Sequence, residues 1–119
     1  MTTQQIADRL VELCRKGDYE TAQRELFADD ATSTEAFESP MFEKVTKGLS
    51  KIREKGKKFQ SMVETIHGTE VSDPLVAGNA IATRLMLDAT MKGRQREKMT
   101  EICLYHVKDG KIISEEFFA

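Results

Sequence analysis

The chain has 119 residues, of which 32% are charged and 39% are apolar, a balance typical of a soluble globular protein. Its formal net charge of −2 gives no reason to expect a nucleic-acid partner, and no apolar run is long enough to span a membrane. The length predicts one domain, residues 1–119, with a core of its own. The first residues, MTTQQIADRL, lack a basic segment followed by an apolar one, so we expect a cytoplasmic protein without a secretion signal.

The first half of the chain has the spacing of helices. Apolar residues recur every three or four positions from Ile6 to Cys14, and Thr2 followed by Gln5 is a capping box. Gly17 is expected to end this helix and Asp18 to cap the next one. A third helix is predicted from about Ser50 to Phe59, after the loop bounded by Pro40 and Gly48.

Between the second and third helices, the stretch ADDATSTEAFESP alternates as a strand. Read from Asp30 to Phe37, one strand face carries Ala31, Ser33, Glu35 and Phe37. Because Phe37 is large and apolar, this face is predicted to point inward, which places the Glu35 carboxylate inside the protein. A buried carboxylate is costly, so it must be paired, neutral or used in chemistry.

The second half of the chain is predicted to form long antiparallel strands. The segments are residues 59–71, 75–91, 99–107 and 111–119, separated by turn signals such as SDP and KDG. Helices followed by a run of strands favour an α+β fold, with the helices packed on one face of a curved sheet.

Several kinds of site lack support in the sequence. The two histidines and the two cysteines, Cys14 and Cys103, have no metal-ligand spacing, and no glycine-rich phosphate loop is present. We therefore expect no metal and no cofactor. The sequence does not exclude a disulfide between the two cysteines, although two free thiols are the simpler interpretation. The basic residues around the third helix are interpreted as a solvated surface, with an anionic ligand as the alternative; they are Lys44, Lys47, Lys51, Arg53, Lys55, Lys57 and Lys58.

The order of these segments resembles a known family. The stretches RKGDYETAQRELFADDAT, KGLSKIREK and YHVKDGKIISEEFF are similar to the SnoaL-like and ketosteroid-isomerase-like members of the nuclear transport factor 2 superfamily. The resemblance covers essentially the whole chain. It implies a cone-shaped curved antiparallel sheet, closed by three helices from the first half of the chain, with a pocket inside.

The resemblance also bears on Glu35. The base of ketosteroid isomerases follows the ADDAT stretch, and an ungapped alignment places Glu35 there. The tyrosine that stabilises the oxyanion aligns with Leu10, and the second acid of that site falls near Met99 or Thr100. Because an enolate needs such donors, isomerisation of a 3-keto steroid itself is not expected.

The strand at residues 99–107 supplies other candidates, depending on which of its faces points inward. If the inward face carries Glu101, Cys103 and Tyr105, then Glu35 and Glu101 form a base and acid pair, and Tyr105 is a hydroxyl donor. If the other face is inward, His106 becomes the candidate instead. We favour the first arrangement slightly, with Glu35, Glu101 and Tyr105 as catalytic candidates. The expected pocket-lining residues are Phe37, His67, Thr83 and Cys103.

Two functions from different classes follow. The first is a small cofactor-independent enzyme, of isomerase, cyclase or hydrolase type, that acts on an apolar or cyclic molecule by carboxylate acid/base chemistry. The second is a non-catalytic ligand-binding or dimerisation module with a residual pocket. In both cases we expect a homodimer formed through the sheet, because the second face of residues 75–91 carries Ala80, Ala82 and Met86 as well as charges. Neither a nucleic acid nor a membrane is expected as partner.

Overall fold

The computed structural model describes all residues from Met1 to Ala119 and contains three helices and seven strands. The elements in chain order are α1 (Thr3–Arg15), α2 (Tyr19–Leu26), β1 (Phe27–Thr34), β2 (Val45–Lys47), α3 (Leu49–Met62), β3 (Val63–Val71), β4 (Leu75–Ala77), β5 (Ala80–Met91), β6 (Arg96–Lys108) and β7 (Lys111–Phe118). This architecture confirms the α+β prediction. None of the three helices has the length and apolar character needed to cross a bilayer.

The ends of the first two helices follow the local signals in the sequence. The Gln5 backbone N–H donates to the Thr2 hydroxyl at 3.1 Å, and the Thr2 N–H donates to Gln5 Oε1 at 2.9 Å, which confirms the capping box. Gly17 follows α1 with a φ of +71°, a left-handed conformation that favours glycine. The Thr21 N–H donates to the Asp18 carboxylate at 3.2 Å, so Asp18 caps α2 as predicted.

The seven strands form one curved sheet with the order β2-β1-β7-β6-β5-β3, and β4 also pairs with β5. Every pair is antiparallel except β1 with β7, which run parallel, so the sheet is mixed rather than wholly antiparallel. Local alternation shows which residues share a strand face, but it does not show which distant strand becomes the neighbour. The parallel pair brings the first strand beside the last and thereby places Ser33 against Glu115.

Several predicted strand boundaries are wrong, among them that of β6, which begins at Arg96 rather than at residue 99. The strand predicted from Asp30 to Phe37 ends at Thr34, and the first four residues of segment 59–71 belong to α3. Segment 75–91 is two strands, because the chain turns at Gly78 with a φ of +55° and pairs Ala77 with Ala80. Leu75 consequently lies beside Ala82 and is 75% exposed.

The core lies between the helices and the inner face of the sheet. α1 contributes Ile6 and Leu10, α3 contributes Ile52, and the sheet contributes Ile81 and Ile112, each at most 2% exposed. The register between β6 and β7 shifts after His106, which marks a bulge in β7 between Ile112 and Ser114. Because of the bulge, Ile112 and Glu115, three residues apart, are both buried. A strict alternation of two would have separated them.

Candidate functional site

A cavity of about 620 Å³ lies between α2, α3 and the inner face of the sheet. Fourteen of the twenty-eight residues that line it are apolar, and they include Ile52, Phe59, Leu85, Leu87, Met99 and Phe117. Polar side chains reach the cavity from the end of β1 and from β6, β7 and α3. A largely apolar wall with a few convergent polar groups is the usual form of a small-molecule site.

Glu35 lies at this cavity in an ion pair with Lys55. It is the first residue after β1, where its backbone N–H donates to the Lys44 carbonyl at 2.7 Å. Lys55 projects from α3 and its Nζ donates to Glu35 Oε1 at 2.7 Å. The Lys55 side chain is only 14% exposed and that of Glu35 27%, so the pair is largely desolvated. Glu35 Oε2 accepts no hydrogen bond from the protein.

The same ammonium group reaches a second carboxyl through Ser33. Lys55 Nζ donates to Ser33 Oγ at 2.6 Å, and Ser33 Oγ donates to Glu115 Oε1 at 2.8 Å. Ser33 is 0% exposed and Glu115 7%. Burial raises the pKa of the Glu115 carboxyl to about 7, although the Ser33 hydrogen bond and the Lys55 charge oppose this shift. One hydrogen-bonded chain therefore joins Glu35, Lys55, Ser33 and Glu115.

Glu101 reaches the cavity from β6. Cys103 and Tyr105 on the same strand face are 1% and 6% exposed, whereas Ile102 is 46% exposed, so the Glu101 face is the inward one. His106 lies on the exposed face, and the arrangement that made it the pocket candidate is wrong. Burial is the main cause that raises the pKa of Glu101 to about 7, and the charges of Glu35 and Glu115 add to it.

Tyr105 and Cys103 line the cavity as neutral groups. Burial raises the pKa of the Tyr105 phenol well above its ordinary value, and the ring packs edge-on against Phe27 with centroids 6.5 Å apart. Burial also raises the pKa of the Cys103 thiol to about 12. A thiol of this kind is a poor nucleophile, and Cys14 is likewise buried and free.

The structure brings together some of the expected pocket residues and not others. Thr83 and Cys103 line the cavity, whereas Phe37 and His67 do not. Phe37 is 70% exposed because β1 ends three residues before it and the chain leaves the sheet. His67 lies exposed on β3, where its Nε2 is 2.8 Å from Thr90 Oγ1, next to a shift in the strand register.

The positions that the resemblance assigns to oxyanion donors hold no such group here. Leu10 is 2% exposed and packs in the core. Met99 lines the cavity with a thioether, and Thr100 is exposed and absent from the cavity wall. Any donor to a developing negative charge must therefore come from another position in the chain.

Sequence reasoning missed Lys55 and Glu115 as site residues. Lys55 lies three positions after buried Ile52 and four before Phe59, so helical spacing places it on the buried stripe rather than on the solvated surface assigned to it. For Glu115 the simple alternation of β7 gave no usable signal, because the bulge changes the face of every residue beyond it.

The ion pair predicts an energetic coupling between Glu35 and Lys55. Glu35→Gln and Lys55→Met should each lower the free energy of unfolding by about 2 kcal/mol, because each leaves the other charge without its partner in a largely dry site. The double variant should lose clearly less than the sum, as measured by urea unfolding in a double-mutant cycle. Strictly additive losses would show that the two side chains do not interact in solution.

The raised pKa values of Glu101 and Glu115 predict that stability falls as the pH rises. Both folded values, about 7, lie above the ordinary 4.5, so the folded chain binds these protons more tightly than the unfolded chain does. Their stabilising contribution is fully present below the unfolded pKa and is lost as the pH rises through about 7. We expect a loss on the order of 3 kcal/mol per group between pH about 5 and 8.

Urea unfolding across this pH range measures the effect. The double variant Glu101→Gln and Glu115→Gln should flatten the profile, whereas the exposed-residue variant Glu116→Gln should keep it. A wild-type profile that is flat or rises between the two pH values would contradict the assignment.

Comparisons with known proteins agree with this architecture. The family model described as SnoaL-like domain matches residues 1–119. A crystal structure from Mesorhizobium loti, of a protein provisionally named both a SnoaL-like polyketide cyclase and a carbohydrate phosphatase, is 39% identical with a TM-score of 0.93, and the match covers 100% of each chain. A search of curated proteins found no match.

Two more distant structures share the fold. A cystatin-like protein of unknown function from Xanthomonas campestris is 19% identical with a TM-score of 0.83, over 99% of this chain and 90% of that one. An NTF2-like protein of unknown function from Burkholderia pseudomallei is 11% identical with a TM-score of 0.76, over 98% and 90%. Because the family model spans the whole chain, the protein belongs to the SnoaL-like family.

Proposed function

We propose that the cavity binds a small apolar, cyclic molecule with a carbonyl group and moves protons on it, as an isomerase, cyclase or hydrolase of cofactor-independent type does. Glu35 is the base and Glu101 the acid, with Tyr105 as a neutral hydroxyl donor. The observation that carries the proposal is that Glu35, just after β1, and Glu101, on β6, reach the same cavity in different electrostatic environments. Environments that differ in this way are how paired carboxyl groups take separate acid and base roles.

The contacts of the two carboxyl groups fit these roles. Glu35 is held by Lys55 through Oε1, which leaves Oε2 to accept a proton from carbon. The carbon–hydrogen bond next to the carbonyl breaks, its electrons form an enolate, and the proton passes to Glu35. Glu101 has no protein partner for its carboxyl and a pKa of about 7, so near neutral pH it can return a proton at a second position.

The composition of the cavity wall indicates the class of ligand. Fourteen apolar lining residues and a volume of about 620 Å³ suit a molecule of drug-like size that is mostly hydrocarbon. The name of the Mesorhizobium loti relative, which includes polyketide cyclase, supports a cyclic carbonyl compound of this kind. The buried Leu10 in place of a phenolic donor favours the alternative, a binding module without catalysis.

Exchange of the hydrogens beside a ketone tests the proposal without knowledge of the natural substrate. The bicyclic ketone 2-tetralone is incubated with the protein in deuterated water, and proton NMR follows the loss of the signals beside its carbonyl. We expect the wild-type protein to accelerate this exchange and Glu35→Gln to reduce the acceleration by about two orders of magnitude, since the base is removed. Glu38→Gln, an exposed carboxyl in the following loop, is the matched control.

Two outcomes would contradict the proposal, the first by excluding catalysis and the second by excluding Glu35 as the base. Binding of the ketone without accelerated exchange would favour the non-catalytic module. Equal exchange by the wild-type protein and the folded Glu35→Gln variant would remove Glu35 from the role of base.

We propose in addition that two copies associate through the outer face of the sheet. Ile102 and Phe118 face each other across β6 and β7 and are 46% and 47% exposed. Arg84 on β5 is the neighbour of Ile102 on the other side, and Leu75 beside Ala82 extends the apolar area. A second copy would cover this largely apolar face.

Sedimentation measures the association directly. At micromolar concentration the wild-type protein should sediment at about twice 13.5 kDa. Ile102→Glu should shift it to the monomer, because a charge would then be buried between the copies. Val45→Glu, on edge strand β2 and 43% exposed, is the control and should leave the dimer intact. A wild-type protein that sediments only as a monomer would contradict the dimer.

A further inference from the structure

We propose that the neutral carboxyl group of Glu115 is the hydrogen-bond donor that holds the carbonyl oxygen of the bound molecule. This role belongs to the same site and rests on the proposed function. Glu115 would supply from β7 the hydrogen-bond donor that Leu10, Met99 and Thr100 do not supply. The inference rests on three observations: the direction of the hydrogen bonds around Glu115, the accessibility of its second oxygen and the charges that surround it.

The hydrogen-bond directions decide which oxygen of Glu115 carries the proton. The Lys55 ammonium group has only donors, so Ser33 Oγ accepts from it at 2.6 Å. The single Ser33 proton is then directed to Glu115 Oε1 at 2.8 Å, and Ser33, at 0% exposed, has no other acceptor. Oε1 thus has the acceptor role of a carbonyl oxygen, and the proton of the neutral carboxyl lies on Oε2.

The second oxygen of Glu115 faces the cavity. No protein group forms a hydrogen bond with Oε2, yet the structure contains no fully buried side-chain oxygen or nitrogen without a partner. Oε2 must therefore retain accessible surface, and Glu115 is among the residues that line the cavity. An O–H group at this position donates into the space where the ligand binds.

The surrounding charges favour the neutral form. The groups that face Glu115 are Glu35 after β1, Lys55 on α3 and, on β6, Glu101, Cys103 and Tyr105, with Cys14 on α1. Lys55 is the one cation among them, and Glu35 already offsets its charge at 2.7 Å. A second carboxylate here would be buried without a counter-ion of its own, consistent with the pKa of about 7.

The donor would act during the proton transfer to Glu35. As the carbon–hydrogen bond breaks, negative charge develops on the carbonyl oxygen, and the hydrogen bond from the neutral carboxyl strengthens. No bond of Glu115 needs to break, and its proton stays on Oε2 throughout. Loss of one such donor typically lowers the rate by about two to three orders of magnitude. Above pH about 7 the carboxylate would instead repel the oxygen.

The carbonyl signal of a labelled ketone tests the inference separately from turnover. The probe is 2-tetralone with carbon-13 at its carbonyl, whose NMR resonance moves to higher frequency when the oxygen accepts a hydrogen bond. Bound to the wild-type protein, it should show this shift at pH about 6 and lose most of it by pH about 8. Glu115→Gln keeps an amide donor that cannot ionise, so its shift should persist and become independent of pH.

Two further variants complete the design. Glu115→Leu has no donor at this position and should remove the pH-dependent part of the shift. If this variant fails to fold, the loss of pH dependence in Glu115→Gln tests the inference instead. Glu116→Gln, the exposed neighbour on the same strand, should behave as the wild-type protein does. A pH-dependent shift that persists in Glu115→Gln and disappears in Glu101→Gln would assign the donor to Glu101 and overturn the inference.

The outcomes separate this inference from the proposed function. If the wild-type protein accelerates the exchange but no substitution of Glu115 changes the carbonyl signal, the inference is overturned and the proposed function stands. A carbonyl shift that depends on Glu115, without accelerated exchange, would support the donor and overturn the proposed catalysis. Failure of the wild-type protein to bind the ketone at millimolar concentration would overturn both.

Discussion

The ammonium group of Lys55 is the interaction on which the polar part of the cavity depends. It is the only cation in the hydrogen-bonded chain, and it contacts Glu35 at 2.7 Å and Ser33 at 2.6 Å. Through these contacts it ties α3 to the end of β1, and through Ser33 to β7. Glu35, Glu101 and Glu115 all reach the cavity, and only Glu35 forms an ion pair with Lys55, so burial is the main influence on the pKa values of the other two. The three carboxyl groups therefore have different environments although they share one ammonium group.

The arrangement of the site depends on one long-range strand pairing. β1 is the first strand of the chain and β7 the last, yet they pair in parallel and place Ser33 against Glu115. The bulge in β7 then turns Glu115 inward although Ile112, three residues earlier, is also inward. The bulge therefore accounts for the inward position of this second carboxyl group, since bulges bend strands and redirect side chains.

Much of the fold, and part of the site, could be predicted from local pattern. Capping residues such as Thr2 and Asp18 form hydrogen bonds with residues close in sequence, so the starts of these helices could be predicted from the sequence. Strand alternation grouped Glu101 with Tyr105 on one face without deciding which face is inward, and Glu35 was named from its predicted strand face together with the family resemblance. The features that were missed depend on long-range structure: the turn at Gly78 divides an apparently continuous strand, and the bulge in β7 reverses the facing of Glu115. Lys55 is a different case, because its helical spacing placed it on the buried stripe while its charge suggested the surface.

The site carries a free-energy cost that packing alone would not require. Ser33 and Glu115 are buried at positions where apolar residues would avoid the desolvation of a carboxyl group, and Glu101 reaches the cavity without a protein partner. Structural ion pairs also occupy protein interiors, but a structural network satisfies each member, as Lys55 satisfies Glu35. Glu115 Oε2 and the Glu101 carboxyl are left facing an apolar cavity of about 620 Å³ instead. Under the proposed function, the bound molecule is the partner of these unpaired groups and accounts for the cost.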